Sequence, residues 1–278
     1  MILRRNNSAG GSDIFGNTIT DLNLLTACGG GAVKPYYAPF DEVMKWFDHG
    51  TFGESYFYNY CPSTFIENGV RHVYYCTNRD EGNVTDYVGY RSATYSEKKG
   101  WEWSEMEIVL GPTEGTWDQR HTCDPSVVKG EFSYKGETYN YLMAYLGCVP
   151  SDCTLNETGI AVSKNPNGPW IKCNSNRVSD GKPINPLVPY SDFDCNEKSW
   201  GTGQASLVSV DKKGRVILFT TVGCKTGSFM DVREYDLSDI SEYKLLRTSK
   251  VFTNGIEGTS KRVNNGDYCY DPISKRFY

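Results

Sequence analysis

The sequence predicts an all-β chain built as a β-propeller, and three observations predict it. One strand-start pattern recurs along the chain. Each recurrence is followed by further short strands rich in Tyr, Val, Ile and Phe. The recurrences, at Cys61, Asp124, Gln204 and Asp267, are spaced by 63, 80 and 63 residues. Short strands at a long period are what a propeller produces, one antiparallel sheet per blade. A β-sandwich would account for the strands but not for the repeated start motif.

Taken in order, residues 1–45 are the least regular and read as an irregular segment packing on the propeller. Residues 7–11 and 28–31 are loop-like, and Asp41 could start a helical turn over 41–47. The propeller domain then occupies 46–278. Its first blade, 46–111, contains Tyr60-Cys61-Pro62-Ser63, then His72-Val73-Tyr74-Tyr75-Cys76, then Tyr87-Val88-Gly89-Tyr90. The second, 112–173, contains His121-Thr122-Cys123-Asp124-Pro125-Ser126, then Tyr139-Asn140-Tyr141-Leu142, then Gly159-Ile160-Ala161-Val162. A long polar loop over 174–200 follows, of a length that is often functional. The third blade, 201–252, has Gly203-Gln204-Ala205-Ser206 at its start and Asp211-Lys212-Lys213-Gly214 as a hairpin turn. The fourth, 253–278, begins at Gly266-Asp267-Tyr268 and stops before its outer strands, which reads as a piece of a longer protein.

Proline fixes its own φ and restricts the residue before it, so Cys61 and Asp124 sit on defined corners where their strands begin. A carboxylate held at such a corner faces the cavity into which the strand opens. Composition fits a sugar partner better than a nucleic acid. The net charge is −5 and Lys and Arg are scattered, with no basic stripe. Twenty Tyr, twelve Phe and six Trp supply stacking surfaces. No run approaches the roughly 18 apolar residues that a membrane span needs. Ten Cys without any C-x-x-C speak against a zinc ribbon, and an even count suits disulfides in an exported protein, with Cys148 and Cys153 the easiest pair to bridge. Asn83 and Asn156 head N-glycosylation triplets.

On the motifs Asp124-Pro125-Ser126-Val127-Val128, Gly159-Ile160-Ala161-Val162-Ser163, Asn167-Gly168-Pro169-Trp170 and Trp200-Gly201-Thr202-Gly203-Gln204, the chain resembles family 43 glycoside hydrolases and related propellers. That group includes arabinanases, β-xylosidases and α-arabinofuranosidases. The resemblance spans roughly residues 50–278. It implies five blades, a carbohydrate substrate, a monomeric secreted protein, no required cofactor, and room for a structural calcium on the propeller axis. In the family, acids at the first three inner-strand mouths serve as general base, pKa modulator and general acid. Here Asp124 matches the modulator, Cys61 stands at the base position, and Gln204 or Gly203 at the acid position.

The implied reaction is hydrolysis of glycosidic bonds in a polysaccharide or oligosaccharide by inversion, which needs two carboxyl groups of unequal pKa. Asp124, Asp267 and Glu197 are the catalytic candidates. His121, Gln204, Trp200, Trp117 and Cys61 are the substrate-binding candidates, and Asp118 a rim acid. Each has a plainer structural role: an Asp at a strand start often closes a turn, and blade aromatics often fill the space between sheets. A propeller that binds sugar without cleaving it is the alternative function, and a protein-binding propeller the weaker third.

Overall fold

The computed structural model describes residues 11–12, 18–19, 59–78, 85–150, 152–251, 266–271, 273 and 276–277. The helical turn anticipated over 41–47, Cys28 and Asn83 lie outside them. The chain divides into two compact units, residues 1–51 with 269–278, and residues 52–268. In the first, β1 (Gly11–Ser12) pairs antiparallel with β2 (Thr18–Ile19), and Tyr270–Asp271 pairs with Arg276–Phe277. Asp271 closes the turn between the latter two segments by accepting from the Ile273 N–H at 2.9 Å.

The second unit is a succession of antiparallel meanders. Sheet one runs β3 (Asn59–Glu67), β4 (Val70–Asn78), β5 (Asp86–Ser96) and β6 (Gly100–Trp103), with β7 (Glu107–Leu110) also paired to β5. Sheet two runs β8 (His121–Tyr134), β9 (Glu137–Cys148), β10 (Glu157–Ser163) and β11 (Ile171–Lys172). Sheet three runs β12 (Gly201–Ser209), β13 (Arg215–Cys224), β14 (Gly227–Asp236) and β15 (Lys244–Val251). Among the described residues the only helical turns are two short 3-10 segments, Tyr190–Asp192 and Ile240–Glu242. No helix among them is long and apolar enough to cross a membrane.

Side-chain alternation explains how the sheets stack. In β9, Tyr141, Met143 and Tyr145 point one way and Leu142 and Ala144 the other, as a strand period of two requires. The first set joins Tyr74, Val88, Tyr90 and Leu110 of sheet one. The second joins Leu207, Val216, Leu218 and Tyr235 of sheet three. The central sheet is therefore buried on both faces, and each large side chain so covered is worth about 1.5–3 kcal/mol.

A hydrogen-bond relay joins the first strands of successive sheets. Ser63 Oγ accepts from the Val127 N–H at 3.1 Å, Ser126 Oγ from the Leu207 N–H at 2.9 Å, and Ser206 Oγ from the Tyr268 N–H at 2.9 Å. First strand beside first strand, sheet after sheet, is the arrangement of propeller blades. The relay also corrects the alignment of the fourth repeat. Tyr268 occupies the place of Val127 and Leu207, so Asp267 stands at the serine position and accepts from Ser206 Oγ at 2.8 Å. Its corner equivalent is position 265, outside the described residues.

Three other expectations change. The 174–200 loop is not polar throughout, because Ile184, Leu187 and Val188 are buried with the sheet-two and sheet-three core. Asn185 fastens it, accepting from the Ile160 N–H and donating to the Ile160 carbonyl, both at 2.8 Å. Cys148 is a free thiol, so the bridge to Cys153 is not made. Asn156 is only 2% exposed and spends its amide on the carbonyls of Cys153 and Trp200, which closes it to glycosylation in the folded chain.

Candidate functional site

The three corners read from the sequence share one backbone device. Cys61, Asp124 and Gln204 have φ of 47°, 51° and 50°, and a register shift opens at each: between Tyr60 and Ser63, Cys123 and Ser126, and Gly203 and Ser206. Each is a β-bulge that re-aims one side chain as its strand begins. Left-handed backbone is tolerated by Asp but costs other non-glycine residues about 1–2 kcal/mol. Strain of this kind clusters at functional sites in proteins, and here it repeats at one place in three successive sheets.

Asp124 is where the corners meet. Its backbone N–H donates to Cys76 Sγ at 2.8 Å, and Cys76 Sγ lies 3.5 Å from its Oδ1. Its carboxyl group is 7% exposed and pushed above the usual carboxylate range. Burial is the main cause. Hydrogen bonds from the Cys61 and Cys76 thiols and from the Gln204 backbone N–H pull it back, while the charge of Asp86 pushes it up. Around it Cys61, Cys76, Cys123, Leu146 and Trp200 form a small apolar cluster. Burial drives the Cys76 thiol well above its ordinary value. At Cys123 a hydrogen bond with Cys76 pulls the thiol down, but burial and the charges of Asp124 and Asp86 outweigh it and push it up to about 12. Cys76 and Cys123 are therefore neutral packing and weak donors, and neither is a poised nucleophile.

Asp86, the second carboxylate of this region, was not foreseen. It opens β5, is buried, accepts from Tyr60 Oη at 3.0 Å and lies 3.0 Å from His121 Nδ1. The signal that would have found it is a register match. The pairings Ser63–Tyr74–Tyr90 and Ser126–Ala144–Ile160 put Asp86 and Asn156 at the same place in their blades. Both reach forward to the next first strand, Asp86 to His121 and Thr122, Asn156 to Trp200 and Thr202.

The remaining candidates fall elsewhere. His121 is 3% exposed, held between Asp86 and Cys153 and turned away from solvent, so it does not meet a substrate directly. Trp117 is packing: its ring lies 5.4 Å from that of Tyr145 and fills the space over Gly147 and Gly159, where a Cβ would come within 2.6 Å of the indole. Asp118 is fully buried, ion-paired with Lys172 and hydrogen-bonded by Tyr145 Oη at 3.1 Å, and thus lines no rim. Glu197 is exposed on the 174–200 loop, and no hydrogen bond or ion pair among the described residues joins it to Asp124. Asp267 is likewise exposed and engaged by Ser206. Trp200 is half-buried and borders an open depression of about 400 Å³ shared with Asn196, Lys198, Ser199 and Lys225. Gln204 keeps its corner, and its side-chain Oε1 is buried with no hydrogen-bond donor among the described residues.

No protein-family profile matches the chain, and no curated protein does. Solved structures similar to it include a thermostable family-43 glycoside hydrolase, 17% identical with a TM-score of 0.46 over 74% of this chain and 62% of that one. A family 117 glycoside hydrolase of the marine bacterium Zobellia galactanivorans is 12% identical with a TM-score of 0.44 over 67% of this chain and 54% of its own. The GH43_1 enzyme of Xanthomonas citri, complexed with xylotriose, is 14% identical with a TM-score of 0.47 over 73% and 57%. The chain spans between about half and three-fifths of the length of these three. The likeness is one of fold between distant sequences.

Proposed function

We propose that this chain belongs to a glycoside hydrolase that cleaves glycosidic bonds in an oligosaccharide or polysaccharide, with the inner-strand corners as its sugar pocket. The supporting observation is the setting of Asp124, a carboxyl group on a bulged corner that burial keeps protonated to higher pH than usual. A carboxyl in that form is able to donate to a glycosidic oxygen as the bond breaks. Asp86, which accepts from Tyr60 and faces His121, is the carboxylate suited to orient an attacking water from its own side. Inversion requires the two groups to stand roughly 6.5–9.5 Å apart across the sugar. The proposal includes a five-bladed ring, an exported monomer, and no obligatory cofactor.

The test is Asp124→Asn assayed with arabino- and xylo-oligosaccharides. The variant keeps the fold and, if Asp124 is the acid, loses about 10²–10⁴ of kcat. Hydrolysis at the wild-type rate on every substrate would sink the proposal.

A second reading, a propeller that binds sugar without cleaving it, is favoured by a separate observation. Two of the three corners carry Cys61 and Gln204 where a hydrolase needs acids, and among the described residues the buried Gln204 Oε1 lacks a donor that a sugar hydroxyl would supply. Glycan binding with no release of reducing ends by the full-length protein would establish it.

A further inference from the structure

We propose that His121, Cys148 and Cys153 bind a divalent cation of the zinc class, at a site with its own ligands that adjoins the proposed sugar pocket through Asp86. A ring nitrogen of His121 and the two sulfurs all lie within 4.8 Å of one another, and Nε2 is 2.8 Å from Cys153 Sγ. A tetrahedral zinc with Zn–S of about 2.3 Å and Zn–N of about 2.0 Å asks for ligand atoms roughly 3.4–3.8 Å apart. The three atoms reach those separations by shifts on the order of 1 Å.

Two of the three ligands sit on paired strands and the third on a short loop. His121 and Cys148 are directly opposite in the β8–β9 ladder, and the Arg120 N–H donates to the Cys148 carbonyl at 2.9 Å. Cys153 returns on a short loop, with φ of 58°, its N–H on the Pro150 carbonyl at 3.1 Å and its own carbonyl held by Asn156 Nδ2 at 2.9 Å. Four residues separate the two cysteines, within the usual spacing of a zinc-binding pair. A search for C-x-x-C passes over this pair, and the histidine lies too far upstream to be linked to it by spacing.

Two features outside the ligands point the same way. A metal-bound histidine commonly gives its other ring N–H to a carboxylate, which fixes ring and tautomer. Asp86 Oδ2 is 3.0 Å from His121 Nδ1. The Asp86 backbone N–H also points at Nδ1, at 3.0 Å, so without metal Nδ1 can accept and Nε2–H can face the Cys153 sulfur. Metal at Nε2 selects the tautomer that donates from Nδ1 to Asp86. Charge balances as well: the cation offsets two thiolates, and Arg120, which hydrogen-bonds Cys153, offsets Asp86. Three protein ligands leave a fourth position for water.

The experiment is a titration of the reduced, chelator-treated full-length protein with Co²⁺, followed by displacement with Zn²⁺. The expected result is a thiolate-to-cobalt charge-transfer band and strong tetrahedral ligand-field bands that saturate at one cobalt per chain and vanish with zinc. Cys153→Ser should remove about half of the charge-transfer intensity, and Asp86→Asn should weaken binding about 10–100-fold with the spectrum retained. Cys61→Ser, at the neighbouring thiol cluster, should leave the spectrum unchanged. A weak octahedral spectrum overturns the proposal, as does a spectrum that survives Cys153→Ser but not Cys61→Ser. A Cys148–Cys153 disulfide in freshly purified protein overturns it too. So does a metal-free chain whose Cys153 alkylates rapidly at neutral pH, because the Cys153–His121–Asp86 line would then be a thiol nucleophile with its base and orienting acid. Should Cys153→Ser fail to fold, ¹⁵N chemical shifts of the wild-type His121 ring decide: zinc must move the proton to Nδ1.

Discussion

Gln204 separates the two functional readings most cleanly at the scale of one residue. Its φ of 50° is strained for glutamine, and its buried Oε1 has no donor among the described residues, so the residue carries two costs that folding alone does not require. Gln204→Gly removes both. Stability by urea denaturation should stay level or rise by up to about 1 kcal/mol, while affinity for the preferred oligosaccharide should fall several-fold by calorimetry. Unchanged affinity would mean that Oε1 meets no sugar. The corner itself was legible in the sequence, because a proline after Cys61 and Asp124 and the recurring Ser two residues on mark the bulge. Asp86 was not legible. Its role depends on which strands pair and in what register, and no local pattern distinguishes a buried strand-start aspartate from a solvated loop acid. Asp267 was misplaced for the same reason, since the Asp-Tyr pair imitates a corner until the serine relay shows where Tyr268 docks.

Between elements, the relay from Ser63 to Val127, Ser126 to Leu207 and Ser206 to Tyr268 does what side-chain burial cannot. It satisfies an outward backbone N–H on the edge strand of a sheet, as for Val127 on β8 and Leu207 on β12, and fixes the height of one sheet against the next. Ser126 is buried, so truncating it strands the Leu207 N–H away from water. Ser126→Ala should therefore cost about 1–3 kcal/mol, read as a lower midpoint in urea with the slope unchanged. A loss near zero would show that water replaces the hydroxyl and that the relay is incidental. Strand positions were legible because period-two burial and aromatic runs are local signals. The 174–200 loop misled because its three core residues, Ile184, Leu187 and Val188, are diluted among polar neighbours and show no period. Trp117 misled because a tryptophan over glycines looks alike in sequence whether a sugar or another strand covers it.

The molecule as a whole answers to pH through carboxyl groups that folding buries, and Glu157 is the one whose window can be placed. It starts β10, and its pKa rises from 4.5 to about 7, chiefly through burial, with the Tyr190 backbone N–H pulling it down and the charge of Asp192 pushing it up. The folded chain holds this proton where the unfolded chain has released it. Stability therefore falls as the pH climbs from about 4.5 toward about 7 and is level above that window. A shift of this size corresponds at most to about 3 kcal/mol, and the part of the side chain left in water screens it to about 1–2 kcal/mol. Glu157→Gln deletes the titration and keeps an acceptor for the Tyr190 N–H. The variant should match the wild type near pH 4 and exceed it by about 1–2 kcal/mol near pH 8 in urea unfolding. An equal difference at both pH values would assign the pH dependence to the other raised acids, Asp124 and Asp231. Asp124 sits at the candidate sugar pocket, so that outcome would couple the pH range of stability to that of activity. A difference confined to high pH separates them, leaving the protonation of the pocket free to follow its own chemistry while Glu157, beside the loop that carries Tyr190, governs how the fold responds to alkali.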